Sequence, residues 1–444
     1  MVPQSAPQPG VQPPSRLATP LLRQVRWHVL TLLLLVTIIN FIHRQTLSVV
    51  APLLTETFHL TATDYGAIGS AFMFGMMVGE FPMGWIMDRF GARAGFTFSV
   101  AWWSLAAGLH AIARSALEFS IFRFWMGSGE CANFSGGMKV VSEWFPAQEK
   151  AFAVGVFNAG SMIGSLVAIP SVAYIALKFG WRMAFVGPSL LGFVWVVLWR
   201  IVYRPLNKNP RVTAEEANYI RAGAVKEEIP PPNRVLLQFR QAWALILCRG
   251  LVGPVIQFYW LWLPLYLYKT RGMSLALIGA SAWIPYLFGD IGSIGGGWAA
   301  GWLMRRGASL RAARLMTMWA GAACCALSVA VAGAGSAAMA IAFVCLVMFG
   351  HTALSANMFA AISDLYPDGA VGRMTALTGI SGGISGLLFP LLTGFLVDRF
   401  SYTPVFLIAG CLPAAGVLCL TALTGNYQRV KIRALMESNH VPQS

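Results

Sequence analysis

Arginine and glutamate side chains inside apolar helices are the groups of this chain best suited to do chemistry. The run Asn40-Phe41-Ile42-His43-Arg44-Gln45 places Arg44 about midway along an apolar stretch. A guanidinium at that depth stays charged and demands an anion, and its planar fork fits a carboxylate. Two readings follow. Arg44 holds the carboxylate of a bound solute, or it pairs with an acidic residue of a neighbouring helix. Arg123 and Glu130 stand two helical turns apart and so share a face. A carboxyl in an apolar interior is cheapest to bury when neutral. That suits Glu130 to carry a proton; its alternative is a lasting salt bridge with Arg123 or Arg44. His43 adds a second proton carrier, imidazole being the side chain that titrates near neutral pH, or else a packing residue. Glu80 either faces a cavity or pairs with Arg44 or His43.

Other polar groups are sparser. Asp290 is the one acid deep within the second half of the chain, and Arg249 is its natural partner. His351 heads the polar stretch His351-Thr352-Ala353-Leu354-Ser355-Ala356-Asn357. Asn158, Ser381 and Ser385 sit among glycine clusters, where they either hydrogen-bond a polyol or merely accompany close helix packing. Trp260, with Gln257, Tyr259 and Trp262 nearby, offers an aromatic face on which a sugar can stack. Lys139 is expected to snorkel to a membrane face. No Ser/His/Asp set, paired catalytic carboxylates or metal cluster stands out, so an enzyme is disfavoured and no metal or cofactor is expected. The seven cysteines all lie in apolar segments, without a CxxC, which argues against disulfides or zinc. There is no G-x-x-x-x-G-K-[ST] loop, so an ATP-driven pump is disfavoured and energy must come from a gradient; with Glu130 and His43 as candidate proton carriers, the proton is the expected coupling ion.

The elements that must position these residues are membrane helices. Of 444 residues 57% are hydrophobic and 11% charged, whereas a soluble globular protein carries roughly 25% charged residues. A helix needs about 20 apolar residues to cross a bilayer. Twelve segments qualify: 27–55, 65–87, 94–113, 117–141, 150–176, 182–203, 241–269, 275–303, 311–333, 337–362, 372–397 and 402–424. The expected architecture is all-α, twelve spans in two six-helix halves, residues 21–205 and 240–426. A polar linker over 206–239 joins them, a Pro-rich disordered tail covers 1–20, and a second tail covers 427–444. No cleavable signal peptide opens the chain. The net charge of +15 reflects topology rather than nucleic-acid binding. Arginines and lysines gather in alternate loops, the linker and the tails, which puts both termini in the cytoplasm.

The halves repeat each other. Ser142-Glu143-Trp144-Phe145-Pro146 matches Ser363-Asp364-Leu365-Tyr366-Pro367, and Gly129 matches Gly350 at the same offset. Gly84 corresponds to Gly301. Parallel repeats about an axis along the membrane normal mark one large class of secondary transporters. After the second span comes Gly84-Trp85-Ile86-Met87-Asp88-Arg89-Phe90-Gly91-Ala92-Arg93. It resembles the G-x-x-x-D-R-x-G-x-R signature of the major facilitator superfamily. Asp88, with Arg89 and Gly84, reads as a gating latch: it can cap a helix N-terminus or pair with a base across the bundle. Gly394-Phe395-Leu396-Val397-Asp398-Arg399 repeats part of the pattern.

From about residue 27 to 424 the chain resembles the anion:cation symporter family of that superfamily, in particular bacterial hexuronate transporters. The likeness rests on Gly137-Met138-Lys139-Val140-Val141-Ser142-Glu143-Trp144-Phe145-Pro146-Ala147-Gln148-Glu149-Lys150, on Ala153–Asn158, on Trp283-Ile284-Pro285 with Asp290, and on His351 with Ala353-Leu354-Ser355. The resemblance implies import of galacturonate or glucuronate with protons. Arg44 would hold the sugar-acid carboxylate, Glu130 would couple proton movement with Arg123 as its switchable partner, and Asn158 would bind hydroxyls. The chain departs from the family in three places: His43 stands where an Asp is usual, Met76 where a Tyr is usual and Glu80 where a Gln is usual. The rival readings are a transporter or exchanger of another organic anion (aldonate, aldarate or aromatic acid), and a non-transporting membrane sensor of sugar acids. The expected setting is a bacterial cytoplasmic (inner) membrane, as a monomer in lipid.

Overall fold

A computed structural model of the chain describes residues 24–222 and 231–430. The tail expected over 1–20, part of the linker and most of the C-terminal tail lie outside the described residues. Every described element is helical. The N-terminal half begins with α1 (Val25–Thr57) and α2 (Ala62–Leu109) and continues with α3 (Ala116–Glu130) and α4 (Ala132–Trp144). α5 (Ala147–Phe179) and α6 (Trp181–Val202) complete it. The linker holds α7 (Ala214–Ala222) and α8 (Asn233–Leu236). The C-terminal half runs through α9 (Arg240–Lys269), α10 (Leu275–Ser281), α11 (Ile284–Arg305), α12 (Leu310–Ala326) and α13 (Ser328–Ala332). It ends with α14 (Ala337–Leu365), α15 (Asp368–Arg399) and α16 (Tyr402–Thr424).

Among the described residues, nine helices are long and apolar enough to cross a membrane. The other three expected spans fall in α2 and in the α3–α4 pair. α2 is two helices joined at Gly91, whose φ of 77° is open to glycine and strained for other residues. That glycine is why the signature loop turns within so few residues. α3 passes into α4 through Cys131, which keeps helical φ/ψ. Helix starts follow local chemistry. Thr61 and Asp64 form a capping box at α2, and Ser115, Ser274, Ser309 and Ser336 cap α3, α10, α12 and α14. The repeated five-residue pattern has a plain meaning. Phe145 and Tyr366 are extended because a proline follows, so the helix before them ends. Pro146 and Pro367 then start α5 and α15.

The apolar core divides unevenly. One cluster merges both halves at the face opposite the linker, with Tyr65, Phe119 and Trp181 packed into the same core as Trp262, Tyr266 and Phe406. On the linker side each half keeps its own core, around Phe96, Trp144 and Trp199 in one and Leu245, Met358 and Met374 in the other. The halves are therefore fused at one face and separate at the other. The linker grips the N-terminal half: Glu216 of α7 accepts hydrogen bonds from the first amides of α1, Val25 (3.3 Å) and Arg26 (3.2 Å). Arg26 in turn pairs with Glu149 at the start of α5 (3.2 Å).

Within the C-terminal half, Asn357 is fully buried and ties three helices together. Its amide donates to Gly296 O of α11 (3.0 Å), and its oxygen accepts from Arg314 of α12 (3.1 Å). Arg314 also pairs with Asp364 (2.8 Å). Asn357→Ala leaves a buried carbonyl and part of a guanidinium unmet, a cost of about 1–3 kcal/mol. We expect a lower unfolding midpoint in detergent for N357A than for N357Q, measured by thermal shift.

Candidate substrate pocket and gates

At the centre, between α1, α2 and α3 on one side and α9 and α15 on the other, lies a cavity of about 60 Å³. Arg44, Gln45 and Arg123 line it from the N-terminal half, and Gln257 and Trp260 from the C-terminal half. Arg44 Nε donates to Glu130 Oε2 at 2.8 Å; Glu130 is wholly buried and Arg44 is 16% exposed. Of the two partners open to Glu130 in the sequence, Arg44 is the one it takes. Arg123 is fully buried too, but it donates to the Arg44 backbone carbonyl (3.0 Å), not to Glu130. Both guanidinium carbons lie 5.3 Å from the Phe72 ring centre, within cation–π range. Trp260 stands edge-on to Phe41, with ring centres 6.0 Å apart. Two guanidiniums against one carboxylate leave a net positive charge beside the cavity, and a second anion can be bound there at low electrostatic cost.

The other expected site residues are dispersed. His43, next to Arg44 in sequence, points the other way, to Pro188 and Gly192 of α6. Glu80 is exposed on α2 and, among the described residues, forms no ion pair with Arg44 or His43. Asn158 is exposed on α5 and does not line the cavity. His351 is buried, with Nε2 3.1 Å from Val252 O, and Ser381 donates to Ile246 O (2.8 Å). Both hold α14 and α15 against α9 in this conformer, outside the cavity. Arg249 does not pair with Asp290; it lies over the Phe359 ring (5.2 Å) and against Gly382. Gln257, named beside Trp260 in the sequence, does line the pocket, whereas Gln45 was not singled out, since an amide in an apolar helix carries no charge signal.

The latch residues behave asymmetrically. Asp88 pairs with Lys139 (2.7 Å), so the signature loop is tied to α4 of its own half. Lys139, expected to snorkel, is held by this carboxylate. Arg89 is exposed, and a side chain at Gly84 would meet nothing, so neither is constrained by packing here. The opposite face is closed by contacts between the halves. Asp398, at the end of α15, accepts from Ala62 N (2.9 Å), Thr63 N (2.7 Å) and Thr63 Oγ1 (2.6 Å), the first turn of α2. Tyr65 donates to Leu261 O (2.8 Å) and Ser70 to Leu387 O (2.7 Å). Gly66 packs directly on the Pro390 carbonyl, and any side chain there would collide with it. Asp398→Ala removes three cross-half bonds, about 2–3 kcal/mol of closure. We expect a cysteine placed at Gln257 to react several-fold faster, in D398A, with an impermeant maleimide added at that face. An unchanged rate would show that Asp398 does not hold the gate.

Helical halves that are fused at one face, separate at the other and enclose a cationic pocket at mid-depth define a multi-pass membrane transporter. The family model described as Major Facilitator Superfamily matches residues 33–390 and 312–434, and the chain belongs to that family. It is 29% identical over 428 residues to a hexuronate transporter of Escherichia coli (strain K12), covering 95% of this chain and 99% of that one. A probable galactarate/D-glucarate transporter of the same organism is 29% identical over 429 residues, covering 92% and 95%. Among solved structures, a bacterial homolog of the human lysosomal transporter Spinster, inward-facing and occupied, superposes with a TM-score of 0.70 at 18% identity. That likeness covers 90% of this chain and 96% of the other.

Proposed function

We propose that this transporter imports a hexuronate such as galacturonate or glucuronate together with protons. Alternating access of the two halves around the Arg44 pocket would carry it. One observation carries the reading: Arg44 and Arg123 line the pocket, while the one carboxylate that neutralises Arg44 is buried behind it. Glu130 and a substrate carboxylate compete for the same guanidinium. Protonation of Glu130 frees Arg44 for the substrate, and substrate binding in turn favours protonation, which is the linkage a symporter requires. Arg123, anchored to the Arg44 carbonyl, keeps the field positive in either state. Trp260 offers a stacking face and Gln45 and Gln257 offer amides to hydroxyls. A pocket of about 60 Å³ holds only a few waters, so the site must widen as the halves rock. Asn158, Ser381 and His351 take the binding roles expected of them only if that motion brings them to the pocket.

The linker face is the cytoplasmic face in this reading, with both termini there and the protein working as a monomer in a bacterial inner membrane. Asp88, Arg89 and Gly84 then belong to the inner gate and Asp398 to the outer one. One monoanion moving with one proton carries no net charge, so the pH gradient alone would drive it. A second proton, on His43 or Glu80, would add about 2.3 kcal/mol per 100 mV. Arg123 also favours a second reading, an aldarate whose two carboxylates meet the two guanidiniums. Uptake of labelled galacturonate, glucuronate and glucarate into proteoliposomes under an imposed inward proton gradient separates these. Uronate accumulation that collapses with a protonophore supports the first reading. Accumulation of glucarate alone supports the second, and accumulation of none overturns both.

A further inference from the structure

We propose that the N-terminal half contains a proton pathway of its own, separate from the central pocket. It runs from Glu130 through Asn40, His43, Ser104 and Ser189 to His110, at the face opposite the linker. This inference rests on the proton-coupled reading above. All six side chains are buried, with exposures of 0–4%. Asn40 sets its amide beside the Glu130 carboxyl. His43, one turn along α1, reaches Pro188 and lies 3.6 Å from the point where a side chain on Gly192 would begin. Ser104 Oγ borders that same point from α2. Ser189 donates to the Ser104 carbonyl and stands one turn from Phe185, on whose ring His110 stacks (centres 5.0 Å apart).

Gly192 is what keeps this seam open, since a methyl there would collide with the Ser104 hydroxyl. The seam is also under-satisfied. Ser104 Oγ and His110 Nε2 are buried with no hydrogen-bond partner among the described residues. Buried polar atoms in native proteins are almost always met, and where side chains do not meet them internal waters do. Hydroxyls and imidazoles set along one buried seam can hand protons on, and none of these groups lines the central pocket. His110 Nδ1 lies 2.8 Å from the Ala106 carbonyl at the end of α2, next to the exposed Ile112 and Arg114 of the loop. Phe119 and Phe122 of α3 and Phe185 of α6 pack around it, and Arg123 is a charge both histidines feel.

The pathway lets Glu130 exchange protons with the outer side while the substrate route is sealed there. The Arg44 pair prevents a leak: as long as Arg44 holds Glu130 ionised, no proton is taken up. The test compares His110→Phe, Ser104→Ala and Gly192→Ala with the unmodified protein in proteoliposomes, in two assays. One is proton-driven uptake of labelled uronate; the other is uronate counterflow with no proton gradient. We expect uptake to fall about tenfold in H110F and G192A while counterflow stays within twofold, with Ser104→Thr restoring what S104A loses. Equal loss in both assays for all three variants would mean a purely structural role, and unchanged uptake would mean another route; either overturns the pathway. If the unmodified protein itself shows no proton-driven uptake, the coupling reading fails first.

Discussion

Glu130→Gln is expected to abolish proton-driven accumulation and to preserve exchange, if Glu130 carries the coupling proton as proposed. Gln is isosteric with a protonated Glu, so the variant is locked in the state that has released Arg44. In the unmodified protein the buried Glu130 carboxylate accepts from Arg44 at 2.8 Å, and such an ion pair is stable only while both partners are charged. Removing the negative charge leaves Arg44 and Arg123 unopposed at the pocket. Substrate therefore binds at least as tightly, and counterflow persists. With no group to discharge, the pH gradient has nothing to act on, and the accumulation ratio falls to one. Accumulation measured with and without protonophore decides this. Concentrative uptake surviving in E130Q would place the coupling proton elsewhere, with His43 and Glu80 the next to test.

Arg44 carries the second large effect, and its signature is the reverse. Arg44→Ala removes the fork proposed to receive the substrate carboxylate. Two charge-assisted bonds at about 1.5 kcal/mol each amount to roughly 3 kcal/mol, a hundredfold in affinity. It also leaves Glu130 buried without its partner, which costs several kcal/mol unless the carboxyl takes up a proton. R44A is expected to lose both uptake and counterflow. Arg44→Lys keeps the charge without the bidentate geometry and should raise KM by about tenfold while retaining some transport. Binding measured by isothermal calorimetry at two pH values checks the competition directly. In the unmodified protein affinity is expected to rise as pH falls, because on the proposed mechanism the substrate and the ionised Glu130 vie for one guanidinium. In R44A that pH dependence disappears.

Much of this was legible in one dimension. A bilayer demands about 20 apolar residues per crossing and internal hydrogen bonding throughout, so composition alone leads to a helical membrane protein. Periodic apolar segments, serine caps and the paired Phe145-Pro146 and Tyr366-Pro367 junctions mark where helices stop and start, because those signals act over one turn of chain. The family likeness follows from the same local strings. The cost of charge in lipid singles out Arg44, Arg123 and Glu130 before any contact is known.

What the sequence could not decide is which way those side chains point and what they meet. His43 and Arg44 are neighbours in the chain, but a helix turns about 100° per residue, so one faces α6 and the other the central pocket. Glu80, Glu130 and Asp290 were all acids within conceivable reach of an arginine. Only the azimuth and depth of each packed helix give Glu130 to Arg44 and leave Arg249 without Asp290. The Asp398 clasp on α2 joins residues more than 330 positions apart, and Gly192 makes room for a polar seam it contributes no atom to. Such long-range pairings leave no local pattern. They are settled when helices formed by local rules dock in one register against one another, a choice made by shape and by the cost of leaving any buried charge unmet.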